Sequence, residues 1–428
     1  KPVQFICGAK HKDWPHFESR FIPVKILFVH EVSYRKKVIF EMHEFPELLA
    51  SRGHEVTFFD FDEGAKFWDG GLTPRKQVIA GRVHSQTSLK VIRPLQFGVP
   101  GIDRLLATVT SWAGIWRTLA QGKFDVMVLL AVPTYGVQAI ALAKVFGVPV
   151  AFRALDVSHK IRNSALGSAI KAVEKFVYKR ADLVLGNNPA MTAYCADLGS
   201  RKLRRLPSET LLAPLDLTHF QVGSADPELA ASLGILPNDK VVTYMGSFFY
   251  FSGLGQVIDA FSRLVGGGQA NGTKLLLIGG GEQDAELRAQ VTRLGLTDFV
   301  IFTGFVNYAD LPGHLALTTV AINPLQKSLV TDTALPHKVL QYLAMGLPVV
   351  SSELNGLQAV FGQHSGIVWG ANPQEILEKA VKLAQDPAGL AAASEAAKTA
   401  MTLKFAPNSA IDQLETTLTD LSQGAKLK

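Results

Sequence analysis

Apolar runs of strand length alternate with helix-length segments from residue 24 onward. The run VKILFVHEV (24–32) is typical of a buried strand, a helical pattern follows near 37–52, and HEVTFFDFD (54–62) is typical of the next strand. A strand, a helix of about fifteen residues and a second strand form a βαβ unit, which implies a parallel sheet with a right-handed crossover. The amino-terminal part of the chain is therefore predicted to be α/β.

The same alternation continues in two blocks separated by a linker. Further strands of the first block are predicted at 124–132, 148–156 and 181–188, and those of the second block at 240–247, 273–281, 299–306, 320–325, 347–352 and 366–370. The segment 212–227 is rich in Pro, Gly, Ser and Asp, which is typical of an interdomain linker. The pattern predicts two doubly wound α/β domains that face each other across a cleft.

The segment SLVTDTALPHKVLQYLAMGLPVVSS (328–352) is the most informative stretch. It predicts a loop, a short helix that begins near Pro336, a stop at Gly346 and a buried strand. A helix start after a parallel strand offers free N–H groups and a positive dipole end to a phosphate. Lys338 lies in the first turn, where a cation opposes the dipole unless it meets an anion. The alternative is a surface lysine whose stem covers apolar neighbours.

Glycines follow three predicted strands of the second block, at Gly246–Ser247, Gly279–Gly281 and Gly304–Val306. Ligands of open α/β sheets bind beyond the carboxyl ends of the strands, and glycine lets a ligand approach the backbone closely. The loop after the first strand of the chain, HEVSYRKK, lacks a G-x-G-x-x-G pattern. The sequence therefore places the ligand site in the second block.

Composition narrows the class of protein. The 428 residues exceed one ordinary core, and 47% hydrophobic content fits a globular chain. Cys7 and Cys195 are the two cysteines, too few for a disulfide framework or a Cys-based zinc site, which indicates a reducing compartment. We expect a cytoplasmic protein without a signal peptide. The longest apolar region, 124–152, is interrupted by charged residues, Gly and Pro, so it predicts strand, helix and strand and no membrane span.

Charge is distributed unevenly. Residues 1–222 carry 30 Lys and Arg against 19 Asp and Glu, whereas 223–428 carry 13 against 18. The segment 64–123 has nine basic and two acidic residues together with Trp68, Trp112 and Trp116. Basic residues interleaved with Trp and aliphatic residues suit an anionic membrane surface, and a solvated basic face is the alternative. No DNA or RNA motif accompanies the segment, so nucleic acid is not an expected partner.

The order of four motifs resembles a known family. GSFFYFSGLGQVIDAF, LLLIGGGEQDAEL, VIFTGFVNYADLP and ALPHKVLQYLAMGLPVVSS together resemble the carboxyl-terminal domain of retaining GT-B glycosyltransferases of family four. The first block, with KILFVHEV and ADLVLGNNPAMTAYCADLG, is similar to their acceptor domain. The resemblance covers about residues 24–425. It implies an acceptor domain 24–220, a donor domain 221–407 and a final helix, 408–425, that crosses back to the first domain. Residues 1–23 are polar and aromatic and are predicted to be an irregular segment.

The resemblance also implies a site for a nucleotide-sugar co-substrate, without a metal or another cofactor. The sugar and acceptor are expected near Asp156 and His159, and Lys338 is expected beside the diphosphate. The donor-binding residues implied by position are Gly246, Ser247, Ser252, Gly253, Gly280, Gly281, Phe305, Val306, Asp332, Thr333, Pro336, His337, Lys338, Val339 and Gln341.

This chain departs from the family pattern at the donor motif. The family commonly has two glutamates where Thr333 and Gln341 stand, and Asp332 is one residue from the first of these positions. Ser247 and Ser252 occupy positions that often carry Arg and Lys, which leaves Lys338 as the main cation. A Gln can bind a ribose hydroxyl, but without charge assistance.

The function expected from the resemblance is retaining transfer of a sugar from a UDP- or GDP-sugar to a glycan or lipid-linked acceptor, at the inner face of the cell membrane. A catalytically weak or inactive GT-B partner protein is the alternative, and an epimerase on the same fold is a third hypothesis.

Overall fold

The computed structural model describes residues 23–62, 75–97, 99, 102–160, 166–200, 206–221, 223–362, 365–406 and 408–426. Residues 1–22 of the predicted irregular segment 1–23, as well as Cys7 and Trp68, lie outside the described residues.

The first domain is built on an eight-stranded sheet. Its strands are β1 (Lys25–Val29), β2 (Glu55–Phe59), β3 (Arg75–Ala80), β4 (Ser88–Arg93), β5 (Val126–Leu129), β6 (Val150–Ala154), β7 (Leu183–Gly186) and β8 (Ser208–Thr210). They are arranged in the order β3-β4-β2-β1-β5-β6-β7-β8, and all neighbours are parallel except β3 and β4. The helices are α1 (Glu41–Ser51), α2 (Asp103–Gly122), α3 (Gly136–Val145), α4 (Gly167–Tyr178) and α5 (Pro189–Gly199).

The β3–β4 hairpin lies within the basic segment 64–123, where the sequence pattern predicted no strand. Five of the six β3 residues are exposed, because β3 is the outermost strand of the sheet. An edge strand with solvent on both faces carries little of the alternation that identifies strands in a sequence. The hairpin shows that part of the basic segment serves the sheet.

The second domain has a six-stranded, fully parallel sheet. Its strands are β9 (Lys240–Met245), β10 (Thr273–Ile278), β11 (Val300–Gly304), β12 (Val320–Asn323), β13 (Val349–Ser352) and β14 (Ile367–Gly370). Their order, β11-β10-β9-β12-β13-β14, is the order 3-2-1-4-5-6 of a Rossmann fold. The strand order reverses between β9 and β12, so a ligand is expected beyond the carboxyl end of β9.

Ten helices accompany or follow this sheet within the described residues. They are α6 (Pro227–Ser232), α7 (Leu254–Gly266), α8 (Asp284–Arg293), α9 (Leu311–Leu315), α10 (Leu329–Asp332), α11 (His337–Ala344), α12 (Asn355–Phe361), α13 (Pro373–Ala384), α14 (Pro387–Lys404) and α15 (Ser409–Lys426). Helix α10, which the sequence pattern predicted as loop, is a single turn closed by the Ser328 and Thr331 side chains. Such a short turn has no apolar periodicity to reveal it.

Each sheet is covered by apolar side chains on both faces. Leu27, Met127 and Ile140 belong to the core on one face of the first sheet, and Phe28 and Phe58 belong to the core on the other. The second sheet has the same arrangement, with separate cores on its two faces. Parallel strands buried on both sides are the continuous apolar runs of the sequence. The prediction of two doubly wound Rossmann-like domains is confirmed.

The last helix packs on the first domain, although it follows the second domain in the chain. Ile411, Leu414 and Leu418 of α15 are buried in the core that contains β1 and α1. Arg52, at the end of α1, forms ion pairs with Asp412 and Glu415 of α15. The chain therefore crosses between the domains twice, once after β8 and once between α14 and α15.

Candidate functional site

Lys338 lies in the first turn of α11, beyond the carboxyl end of β9. Pro336 is the N-cap residue, as the sequence pattern predicted for the start of this helix. The Lys338 Nζ atom donates a hydrogen bond of 2.8 Å to the Tyr244 hydroxyl and lies 4.0 Å from the centroid of the Tyr244 ring. Tyr244 is buried in β9 and donates its own proton to the Ser247 carbonyl. A tyrosine therefore holds the lysine at the switch point of the sheet.

The Lys338 ammonium has no carboxylate within ion-pair distance among the described residues. Burial lowers the pKa of Lys338 to about 7. A half-buried cation at the positive end of a helix dipole is unfavourable without an anion. The arrangement is therefore suited to a ligand that brings negative charge, such as a phosphate.

Two glycines make room for this arrangement. A Cβ atom on Gly246 would lie 2.8 Å from Lys338 Nζ, and Gly246 has a φ of +138°. Gly253, the N-cap of α7, has a φ of +73°, and its Cβ would lie 2.2 Å from the Pro324 carbonyl oxygen. Any other residue would be strained by the positive φ at both positions, and at Gly253 its Cβ would also clash with the backbone. The family resemblance implied both glycines at the diphosphate, and the structure places Gly246 beside Lys338.

A third part of the predicted donor site lies at the ends of β10 and β11. Phe305 is 68% exposed, and its ring would lie 3.1 Å from a Cβ on Gly280. Val306 is partly buried against the core of the second domain. Gly281 packs against the Phe248 backbone, where a Cβ would lie 2.9 Å from the amide nitrogen. The exposed aromatic ring beside a glycine offers an apolar face that suits a planar base.

The two serines of the predicted site differ in environment. Ser252 is fully buried, and its hydroxyl has no hydrogen-bond partner among the described residues. Ser247 contributes its carbonyl to the Tyr244 hydroxyl at 3.0 Å. A buried hydroxyl without a partner is unusual in a folded protein, because desolvation is then uncompensated.

The remaining predicted residues surround α10 and α11. Thr333 donates its hydroxyl to the Leu329 carbonyl, and its own carbonyl accepts a hydrogen bond of 2.8 Å from Asn188 of the first domain. His337 Nε2 lies 3.4 Å from the Pro214 carbonyl oxygen, and burial lowers the pKa of His337. Gln341 is buried, and Val339 is fully buried in the core, so Val339 offers a ligand its backbone only.

Asp332 has a structural task. Its carboxylate accepts hydrogen bonds from the Asn355 backbone N–H at 3.0 Å and from the Asn355 side chain at 2.6 Å, and it pairs with Lys327 at 3.3 Å. These contacts tie α10 to the start of α12, where a negative charge is favourable. To substitute for a family glutamate, Asp332 would have to release them.

His159 and Asp156 follow β6 in the first domain. Asp156 is exposed at the end of the strand, and desolvation by the surrounding protein, together with the charge of Glu41, raises its pKa to about 6. His159 is buried in a one-turn helix, with Nδ1 at 2.7 Å from an oxygen of the buried Glu174. A carboxylate accepts only, so Nδ1 carries the proton, and Nε2 has no hydrogen-bond partner among the described residues.

Glu174 organises this part of the site. Besides His159, it accepts hydrogen bonds from the hydroxyls of Tyr178 at 3.0 Å and Tyr194 at 3.3 Å, and from the Ser158 N–H at 3.3 Å. The ring of His159 is thereby fixed in one orientation and one tautomer. No sequence pattern identified Glu174, because a single Glu within an amphipathic helix is usually solvent-exposed.

Changing Glu174 to Gln tests whether the orientation of His159 matters for turnover. The variant keeps the shape of the network and removes the negative charge behind the imidazole. We expect kcat to fall roughly tenfold, the difference between a charge-assisted and a neutral hydrogen bond, while the Kd for nucleotide stays unchanged. Steady-state kinetics and calorimetry separate the two quantities. Lys171→Gln, on the exposed face of the same helix, is the control, and an equal kcat in both variants would contradict the prediction.

A buried ion pair supports the first-domain side of the site. Arg153 in β6 pairs with Glu41 at the start of α1 through two hydrogen bonds of 2.6 and 2.7 Å, and both side chains are buried. Arg153 also donates to the Leu211 carbonyl at 2.6 Å, where the chain leaves the sheet toward the second domain. Sequence analysis did not identify this pair, although a charged residue inside the apolar run VPVAFRALD could have indicated it, because a buried charge needs a partner.

Both domains match models of known protein families. Residues 42–208 match the family model described as "Glycosyl transferase 4-like domain", and residues 239–386 match the model described as "Glycosyl transferases group 1". The two matches correspond to the first and the second domain. No helix among the described residues has the length and apolarity needed to cross a membrane.

Curated relatives are similar over about half of the chain. The 2-deoxystreptamine N-acetyl-D-glucosaminyltransferase of Streptomyces fradiae is 26% identical over 200 residues, which is 45% of this chain and 44% of the relative. The O-antigen chain mannosyltransferase C of Escherichia coli is 24% identical over 202 residues, 47% of this chain and 50% of the relative. The chain therefore spans about half the length of the curated relatives it matches.

Solved structures share the fold over nearly the whole chain. Sucrose-phosphate synthase from Thermosynechococcus elongatus superposes with a TM-score of 0.75 at 17% identity, covering 94% of this chain and 100% of that one. Anabaena HepE in complex with UDP-glucose has a TM-score of 0.71 at 19% identity, covering 93% and 100%. These similarities confirm the GT-B fold.

Proposed function

Because the chain joins a glycosyl transferase 4-like domain to a glycosyl transferases group 1 domain, we propose that it moves a sugar from a UDP- or GDP-sugar to a glycan or lipid-linked acceptor with retention of configuration. The observation that carries the proposal is the Lys338 ammonium at the start of α11, which has no carboxylate partner among the described residues and lies beside Gly246. HepE was crystallised with UDP-glucose, and the curated relatives are named as sugar transferases.

The proposed chemistry follows from where charge develops. Sugar transfer leaves negative charge on the departing diphosphate, and preorganised cations and dipoles at that position lower the barrier. In the proposal, the Lys338 ammonium and the backbone N–H groups at the start of α11 stabilise this charge. The buried Ser252 hydroxyl supplies a further donor, and Phe305 packs against the base. Gln341 binds the ribose without charge assistance.

The first domain supplies the groups that meet the sugar and the acceptor. His159 Nε2 is the unpaired nitrogen of a ring held by Glu174, so it can accept a hydrogen bond from a sugar hydroxyl. Asp156, whose pKa is raised to about 6, lies at the end of β6 and contacts the acceptor in the proposal. The proposed reaction uses no metal ion, and none of the residues named here is proposed to bind one.

The direct test is turnover of nucleotide sugars. We expect the purified chain to bind UDP or GDP with a micromolar to millimolar Kd in calorimetry, and to release it from one nucleotide sugar when an acceptor extract is added. Binding without release under any acceptor would support the second candidate, an inactive partner protein. That candidate is favoured by Thr333 and Gln341 at the glutamate positions. Absence of nucleotide binding at millimolar concentration would refute the donor site itself.

The acceptor is proposed to be lipid-linked because α2 exposes an apolar stripe. Leu105, Val109, Trp112 and Trp116 recur at helical spacing and are 43% to 71% exposed. Exposed basic residues, Arg117 and Lys123, lie at the same end of the helix as Trp116. Aromatic and aliphatic residues beside basic ones bind the headgroup region of anionic bilayers. We propose that this stripe places the protein on the inner face of the cell membrane.

Liposome flotation tests the membrane contact. We expect the protein to float with vesicles that contain phosphatidylglycerol and to remain in solution with neutral phosphatidylcholine vesicles or in high salt, which screens the basic residues. A Trp112→Ser/Trp116→Ser variant should lose flotation, whereas Val78→Ser, an exposed apolar residue of β3, should keep it. Equal flotation of both variants would argue against the stripe.

A further inference from the structure

A cavity of about 310 Å³ lies where the chain crosses between the two domains. Residues 213–218, which follow β8, form one wall, and Phe405, Ala406 and residues 408–411, which join α14 to α15, form another. Glu44 and Leu48 of α1 and His84 complete the lining. Both crossings thus border one cavity, so a molecule bound there would contact the two segments that must bend when the domains move relative to each other.

Glu44 is the unusual group in this cavity. The side chain is 1% exposed, and neither carboxyl oxygen has a hydrogen bond or ion pair among the described residues; Oε1 is completely enclosed. Its neighbours on the same face of α1 are satisfied. Glu41 pairs with Arg153, while Glu47 accepts hydrogen bonds from the N–H groups of residues 82–84. Of the three buried carboxyls of α1, the one that lines the cavity therefore lacks a partner.

Two carboxyl groups, Glu44 and Asp216, line the cavity. Asp216 is a second carboxylate of the lining, and its Oδ1 atom accepts hydrogen bonds from Thr218 and from the His219 N–H. Among the described residues, no Lys or Arg lines the cavity, and His84 is the one imidazole in its lining. Burial, followed by the charges of Asp216, Glu41 and Glu47, raises the pKa of Glu44 well above its usual range. The Tyr308 hydroxyl is also buried without a hydrogen-bond partner among the described residues. Burial, followed by the charges of Glu44 and Asp216, raises the pKa of Tyr308.

We propose that the cavity binds a small molecule bearing a primary ammonium group, with Glu44 as the anion that receives it. Its volume suits a molecule of about monosaccharide size, at the lower end of ligand pockets. Leu48, Leu217, Phe405 and Ile411 offer an apolar surface to the remainder of the ligand. A buried carboxyl without a partner is costly, and an ammonium would provide the ion-pair partner that Glu44 lacks among the described residues.

The site goes beyond the proposed function, since the nucleotide sugar is assigned to α11 and the strand ends of the second domain. The two sites adjoin, because the Pro214 carbonyl of the cavity wall lies 3.4 Å from His337 Nε2 in the first turn of α11. A molecule in the cavity would therefore lie against Pro214, whose carbonyl contacts the residue that precedes Lys338. The ammonium could belong to an acceptor that is consumed or to an effector that is not, and product analysis distinguishes them.

Binding is accompanied by loss of a proton. Burial favours the protonated form of Glu44, whereas a bound ammonium favours its carboxylate form, so binding displaces the carboxyl proton toward the buffer as the complex forms. No covalent bond changes. Calorimetry in two buffers with different ionisation enthalpies measures this proton release. Binding of a neutral ligand would not show it.

The test uses the full chain with saturating UDP, so that the donor site is filled. D-glucosamine is the probe, and D-glucose and N-acetyl-D-glucosamine are neutral controls of the same ring. We expect glucosamine to bind at least tenfold more tightly than either, since a charge-assisted hydrogen bond is lost in both controls. Titrations in phosphate and in MOPS should show a net release of protons at a pH where the amine is charged.

Glu44→Gln should lower the affinity for glucosamine at least tenfold and abolish proton release, because it keeps the shape of the side chain and removes the charge. Glu353→Gln, at an exposed carboxylate away from the cavity, is the matched control. If Glu44→Gln fails to fold, Asp216→Asn and the preference of the wild-type protein for glucosamine over glucose carry the test. Equal affinity for glucosamine and glucose in the wild-type protein would overturn the proposal, as would unchanged affinity in Glu44→Gln. Mass spectrometry after adding a nucleotide sugar shows whether the bound amine is consumed.

Discussion

Lys338→Met is expected to lower kcat roughly 10²–10³-fold, the cost of removing one preorganised donor from a developing negative charge. Lys338 is the one Lys or Arg that the proposal places at the diphosphate, since serines stand where the family often carries Arg and Lys. The ammonium is half-buried against Tyr244 without a carboxylate partner among the described residues, so its removal relieves an unfavourable burial. We therefore expect the loss of turnover to come without a loss of thermal stability.

The control is Lys382→Met, which removes an exposed lysine of α13 in the same domain. Initial rates of UDP or GDP release, together with thermal melts of both variants, check the prediction. A Lys338→Met protein with wild-type kcat would remove the leaving-group role. A large drop in melting temperature would instead assign Lys338 to the fold.

The same lysine predicts a pH dependence. Its pKa of about 7 means that the free protein loses the ammonium charge as the pH rises above 7. A bound diphosphate favours the charged form, so nucleotide binding takes up a proton there, and kcat/KM for the donor falls up to tenfold for each pH unit above 7. Lys338→Arg keeps its charge at every accessible pH and should flatten this limb. Calorimetry of equilibrium UDP binding across pH 6–9 measures the proton uptake, and steady-state kinetics over the same range measures kcat/KM.

Arg153→Leu is expected to destabilise the first domain by about 3–5 kcal/mol, because it leaves the buried Glu41 carboxylate without its partner. The pair has two short hydrogen bonds, and the Leu211 carbonyl loses a donor as well. Urea denaturation followed by circular dichroism should show an earlier transition for the first domain. We also expect weaker turnover, since Glu41 influences the pKa of both Asp156 and His337.

A double variant distinguishes the loss of the ion pair from the loss of packing at Arg153. Glu41→Leu combined with Arg153→Leu removes both charges and should recover much of the lost stability, as buried pairs replaced by apolar residues often do. Lys379→Leu, which breaks the exposed pair with Glu375 on α13, is the control and should leave the denaturation midpoint unchanged. If the double variant is as unstable as Arg153→Leu, the loss reflects packing rather than the ion pair.

The succession of apolar and amphipathic segments along the sequence determined the architecture of this protein. Apolar runs of four to nine residues, separated by amphipathic segments, have one stable arrangement as parallel strands with helices on both faces. The same reasoning located the start of α11, Lys338 and the glycines at the strand ends, since these features depend on neighbours in sequence. It missed β3 and α10, because an exposed edge strand and a single turn carry no periodic pattern.

Tertiary structure alone decided which side chains meet. Tyr244 is 94 positions from Lys338, Glu41 is 112 positions from Arg153, and Glu174 reaches His159 from the next helix. The two segments that cross between the domains, residues 213–218 and 408–411, border the cavity at which Glu44 has no partner among the described residues. Burial and charge pairing depend on contacts between distant segments, and a pattern of single residues does not contain them. For this reason the family resemblance predicts where a donor would bind, whereas the electrostatics of the proposed site followed only from the fold.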